Sequence, residues 1–337
     1  MIFLDLFIFA FNAVMPIILL IALGYFLKKK ELFTKEFLKV GNKTVFRVLL
    51  PVLLFTNLAK MDGFSVLRAD LVLYVVLAIA ILFIIGLILA LSTPDPKQKG
   101  VLHQCVFRSN FALIGVPLAQ LLAGDSGVQS AAVLSTFTIP IFNILAVIAL
   151  SAYTGNQTAA GPKIKKILKD IAHNPLLWGV ALGILFVCIK PIYATLPVPV
   201  TDFCSKFTFI WTALDYLAKA STPVSLLVLG GQFELSHIKG LRKQIILGVS
   251  GRLLFAPILG VGGAVLLQHL GVLNFDNGVY AALIALFATP VAVASAIMAE
   301  EMDNDGALAG QLVVWTTLLS AVVIFLAIVL LRGLGML

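Results

Sequence analysis

Charge is what this chain is short of. Only 12% of its 337 residues are charged, against 61% hydrophobic, whereas a soluble domain carries about 25% charged residues. A soluble fold of this size cannot bury so much apolar side chain. The mean hydropathy of +1.07 therefore points to a polytopic membrane protein. Cysteine is scarce as well. Cys105, Cys188 and Cys204 are an odd, scattered set with neither metal spacing nor a disulfide framework. The four histidines, His103, His173, His237 and His269, sit at the ends of apolar runs and read as solvated, which argues against a histidine proton relay. No HExxH, GxSxG or DxD-type cluster lies within an apolar run, and there is no soluble output domain. An enzyme or a sensor is thereby disfavoured, and no cofactor or metal is called for.

What is present is a series of apolar runs of about 20 residues, each long enough for a hydrocarbon core of roughly 30 Å. Ten are counted, near 6–27, 43–60, 69–92, 101–123, 128–152, 174–194, 208–231, 244–270, 277–299 and 307–332. All read as helices, because lipid leaves backbone groups no other partner outside a closed barrel. The N-terminal run has no basic n-region and no small-residue cleavage site, so it reads as a first span rather than a signal peptide. The net charge of +8 does not indicate nucleic acid, because the basic residues cluster in short loops. Four loops on one side hold 7, 3, 4 and 3 of them, against Lys60, Arg68, Lys190, Lys206 and Arg332 on the other. That split of 17 to 5 predicts a multi-pass protein of the cell (inner) membrane with both termini outside the cytoplasm. The loop "EEMDNDG" dissents, but acidic residues count little in this rule.

The stretch 153–173 divides the chain into a first five-helix repeat, 1–152, and a second, 174–337. "PIILLIALGYFL" aligns with "PLLWGVALGILF", "PVLLF" with "PVSLL", and "IGVPLA" with "FATPVA". The proline pairs Pro16/Pro175, Pro51/Pro223 and Pro117/Pro290 keep their order at offsets of 159, 172 and 173. Five is odd, so the second copy is inverted, a plan common in secondary transporters. Spans 4 and 9 are the interrupted pair. Gly115 permits a break with Pro117 restarting the helix, and Thr289 is positioned to cap a helix beginning at Pro290. Each break frees backbone N–H groups near the midplane, where an anion satisfies them. Asn110, two turns before Pro117, offers both a donor and an acceptor. A proline kink that merely shapes packing is the plain alternative at either place.

"RSNFALIGVPL", "GVQSAAVLSTF", "ATPVAVASAIMAEE" and "LAGQLVVWTTLLS" together resemble the auxin efflux carrier family, which includes bacterial malonate and other carboxylate permeases. The likeness covers nearly the whole chain. It implies a ten-span, 5+5 inverted-repeat fold with broken helices 4 and 9 crossing at their prolines, and an elevator-type movement against a scaffold that forms a homodimer. It implies binding of a small organic anion at Asn110, Gly115, Val116 and Pro117 on span 4, and at Thr289, Pro290 and Val291 on span 9. Ser135 stands where plant members carry a substrate-contacting glutamine.

Asp215 and Lys219, one turn apart on a single helix face, form either a coupling pair or a headgroup-facing ion pair. Arg252 lies inside span 8, where a charge is costly; Asp215 and Glu234 are its candidate partners, and an anion path is the alternative. Arg108, nine residues before Pro117, falls near the interface and reads as a positive-inside anchor. Thr56, Asn57 and Ser225 are candidate cavity residues or interhelical contacts. A proton, sodium ion or the membrane potential supplies the driving force. The rival assignment is a sodium- or proton-coupled symporter or exchanger of the bile-acid-symporter or antiporter type. Such proteins usually place carboxylates at the crossing, and none lies within five residues of Pro117 or Pro290.

Overall fold

The computed structural model describes residues 2–60, 68–153, 160–194, 208–234, 236 and 238–337. Cys204, Lys206 and His237 lie outside them, as does the side chain of Lys190. Among the described residues the chain is helical, and its sole β-type pairing is the single antiparallel bridge Ser109–Val291. The helices are α1 (Ile2–Lys29), α2 (Lys35–Thr44), α3 (Leu50–Ala59), α4 (Ala69–Ala90), α5 (Pro96–Phe107), α6 (Val116–Ser151) and α7 (Ala160–His173). They continue with α8 (Pro175–Ala194), α9 (Thr208–Gln232), α10 (Ile238–Ser250), α11 (Gly263–His269), α12 (Asn277–Phe287), α13 (Ala294–Glu301) and α14 (Gly306–Gly333). Four stretches are long and apolar enough to cross a membrane: Ala69–Ala90, Phe111–Ser151, Ile238–His269 and Gly306–Gly333. The bent pair Lys165–His173 and Pro175–Ile189 makes a fifth. α4 shows the lipid-facing character plainly, with Leu73, Leu77, Ile84 and Ile88 all exposed in a helix too apolar for water.

Proline shapes the long helices without breaking them. Turns of π-helix at Val45–Leu49, Phe111–Gly115 and Gly251–Phe255 each end two residues before a proline, at Pro51, Pro117 and Pro257. A proline removes one N–H and pushes away the carbonyl four residues back. The widened turn absorbs the mismatch through i→i−5 bonds, such as Val116 N–H to Phe111 O. The kink in α6 comes later, at Ala123 and Gly124. Gly124 has φ 56°, ψ −136°, a conformation open chiefly to glycine.

α1 runs along α9, and α3 along α8 and α9. Glycine sets the spacing. A Cβ on Gly24 would strike the Leu227 carbonyl, and one on Gly230 the Ile21 carbonyl. Small residues allow this approach between membrane helices, where packing rather than water drives association. α12 packs chiefly against α6, and its residues from Gly278 to Phe287 are all buried.

Candidate functional site

Two chain breaks meet inside the protein. α5 ends at Phe107 and helix resumes at Phe111; α12 ends at Phe287 and α13 begins at Ala294. The intervening segments cross as a minimal antiparallel ladder. Asn110 N–H donates to Pro290 O at 2.8 Å, and Ala292 N–H reaches Arg108 O at 3.4 Å. Thr316 Oγ1 accepts from Val291 N–H at 3.2 Å. The first break therefore lies at Arg108–Asn110 rather than at Gly115–Pro117, where the helix is continuous. Gly115 serves instead as a close-contact position, since a Cβ there would stand 2.6 Å from Ala285 O. In the second break the helix starts at Ala294, not Pro290. Thr289 does not cap it, because its hydroxyl donates back to Ala285 O at 2.8 Å.

The four half-helix ends at the crossing are treated in opposite ways. The carbonyl ends of α5 and α12 converge on Arg252, which is fully buried. Its Nε donates to Thr289 O at 2.9 Å, Nη1 to Val106 O at 3.2 Å and Phe107 O at 3.4 Å, and Nη2 to Leu286 O at 2.8 Å and Phe287 O at 3.0 Å. One guanidinium thus satisfies five carbonyl oxygens and offsets the negative poles of two helices. It pairs with neither Asp215 nor Glu234, its expected partners. Asp215 instead bonds Lys60 at 2.8 Å and Lys219 at 2.6 Å, bridging α3 and α9 away from the crossing.

The amide ends face a cavity of about 200 Å³. Phe111, Ala112 and Leu113 line it from one side of the crossing, and Ala292, Val293 and Ala294 from the other. Apart from Ala292, whose N–H reaches Arg108 O, these positions carry the N–H groups that a helix start leaves without intrahelical partners. Arg108, Ser109 and Asn110 line the same space, with Asn143 of α6 and Asn57, Thr222 and Ser225 of α3 and α9. Among the described residues no carboxylate lines it. The Asn110 amide nitrogen and the Ser109 hydroxyl are buried without a hydrogen-bond partner, and a buried donor without a partner is costly. Arg108 is buried too. Its Nη2 donates to Asn143 Oδ1 at 2.9 Å, and Nη1 lies 3.1 Å from Met298 Sδ and 3.5 Å from Gln104 Oε1. All three partners are neutral.

Of the sequence-derived candidates, Asn110 lines the cavity. Pro117 is exposed on the outer side of its helix, with Val116 beside it half-buried. Pro290 and Val291 contribute backbone to the crossing rather than side chains to the cavity. Ser135 is buried in α6 and donates to Ala131 O at 2.8 Å. Asn57 and Ser225 line the space, whereas the Thr56 hydroxyl turns back to Val52 O at 2.9 Å. Arg108 is the addition: it lies at the crossing, not at the interface. His103 also departs from its reading as a solvated residue. It is 2% exposed, with Nε2 3.0 Å from Phe83 O and Nδ1 3.1 Å from the Tyr153 hydroxyl.

Residues 9–328 match the family described as "Membrane transport protein". The chain is 26% identical over 315 residues to an uncharacterized transporter of Methanothermobacter thermautotrophicus, covering 92% of this chain and 95% of that one. A second uncharacterized transporter, from Methanocaldococcus jannaschii, is 26% identical over 225 residues, covering 65% and 67% of the two chains. With the match spanning nearly its full length, this chain belongs to the membrane transport protein family, that of the auxin efflux carriers.

Proposed function

We propose that the protein is a secondary transporter of small organic anions, carboxylates such as malonate, malate or auxin-like acids, which bind where the broken helices cross. One observation carries the reading. A single cavity gathers two helix N-termini, the unpartnered Asn110 amide and the Arg108 guanidinium, with no carboxylate among the described residues that line it. Helix N-termini and guanidinium groups both favour carboxylates. At about 200 Å³ the cavity is below the roughly 300–1,000 Å³ of drug-sized pockets, which suits a small organic anion.

The reading includes ten spans in a 5+5 inverted repeat, placed as a multi-pass protein in the cell membrane with both termini outside. Packing supports the repeat. Gly24 approaches the Leu227 carbonyl as Gly183 approaches that of Phe55, and the repeat offsets of 159 and 172 relate these pairs. Alternating access is of the elevator type, in a homodimer. The cavity lies between α3, α8 and α9 on one side and the crossing with α6 on the other, the boundary along which such a movement would slide. A sodium- or proton-coupled exchanger would usually hold a carboxylate here.

Purified protein in liposomes should take up labelled malonate, malate or indole-3-acetate saturably, with mutual competition. Absence of uptake for all three in either direction, together with a sodium-dependent rise in unfolding temperature, would favour the rival class.

A further inference from the structure

We propose that this transporter is an exchanger, in which the crossing travels with an anion in both directions and Arg108 enforces the exchange. The proposal rests on the transporter reading above. Arg108 is 4% exposed, and none of the groups it touches can neutralise it: Asn143 Oδ1, Met298 Sδ and Gln104 Oε1. The unpartnered Asn110 amide nitrogen beside it is a donor as well. The cavity thus presents positive groups and helix amide ends, without a resident negative charge.

The rest of the lining, from α3, α8 and α9, carries no charge: four leucines with the neutral Asn57, Thr222 and Ser225. Those leucines are Leu50, Leu53 and Leu54 of α3 and Leu176 of α8. Moving an unpaired guanidinium along such a surface is strongly disfavoured, because desolvating a charge without a counter-charge is expensive. A carboxylate held by Arg108 removes that cost. The loaded unit therefore moves quickly and the empty unit slowly. Net uptake needs the empty return, whereas exchange does not. Flux is then limited by whether an anion waits on the far side.

The test uses the full chain in liposomes, with the potential held at zero by potassium and valinomycin. Labelled malonate, malate and indole-3-acetate are offered outside. The lumen holds either the same unlabelled anion or only a bulky sulfonate buffer. Wild-type uptake should be at least about tenfold faster into anion-loaded vesicles. Asn143→Asp places a carboxylate where Nη2 now meets the amide oxygen at 2.9 Å, with almost no change of shape. It should bring that ratio close to one and weaken anion binding. Arg108→Gln should also bring the ratio close to one, while Arg108→Lys keeps it high.

Uptake by the wild type with a ratio near one overturns the exchange proposal and leaves the transporter reading standing. No uptake of any of the three anions under either filling overturns the transporter reading itself. A high ratio that survives in Asn143→Asp or Arg108→Gln removes Arg108 from the role. The wild-type ratio decides the exchange claim even if a variant fails to fold.

Discussion

Arg108 and Arg252 are both buried beside the same crossing, neither has an acidic partner, and they do different work. Arg252 spends its guanidinium on five carbonyl oxygens at the ends of α5 and α12. Nothing of it is left for a ligand, and it does not line the cavity. Arg108 has three neutral contacts and faces the cavity. Burial alone does not separate a structural cation from a binding one; the count and kind of its partners do. The pair also divides the electrostatics of the crossing. The negative helix poles are closed by the protein itself, and the positive poles are left open for something that comes and goes.

Removing each guanidinium in turn separates the two roles most clearly. Arg252→Met orphans several buried carbonyl groups at once. The expected loss is about 3–5 kcal/mol, seen as a collapse of folded yield and a large fall in unfolding midpoint in detergent. Arg108→Met removes a buried charge that has no counter-charge, so stability should stay within about 1 kcal/mol of wild type or rise. Uptake should nevertheless fall about tenfold to a hundredfold, the range of a lost charge-assisted hydrogen bond or two. Equal destabilisation by both substitutions would erase the distinction. Asn110→Ala comes next. Its amide nitrogen has no partner in the folded protein, so the unfolding midpoint should hardly move while uptake drops about five- to tenfold. Unchanged uptake would take Asn110 out of the binding site.

Much of the crossing was legible in the sequence, but shifted along the chain. Pro117 and Pro290 mark the right two spans, since a proline inside an apolar run asks for a local rearrangement. They do not mark equivalent breaks. Pro290 sits within its break. The strain at Pro117 is taken up by the π turn at Phe111–Gly115, and the chain opens at Arg108–Asn110 instead. That displacement explains how Arg108 was misplaced: counting nine residues back along an unbroken helix carries it to the interface. Arg252 was flagged by its depth, but its partners were invisible, because carbonyl oxygens leave no mark in a sequence. His103 reads as solvated because it sits at the end of an apolar run; α5 instead enters the interior within two turns, where Phe83 of α4 and Tyr153, just beyond α6, meet it. Local chemistry was readable, whereas contacts between residues 20 or more apart in the chain needed the fold.

At the other charged cluster the smallest effect is expected. Asp215 holds Lys60 and Lys219 at 2.8 and 2.6 Å, with both lysine side chains largely exposed at 62% and 73%. Water competes for all three groups, so such pairs contribute little. Asp215→Asn should leave the unfolding midpoint unchanged and anion uptake within about twofold of wild type, with the same dependence on pH. A coupling role predicts the opposite: a carrier whose uptake collapses, or loses its response to a proton gradient, when this single carboxylate is neutralised. In that outcome the exposed cluster, rather than the buried Arg108, would hold the charge that transport depends on.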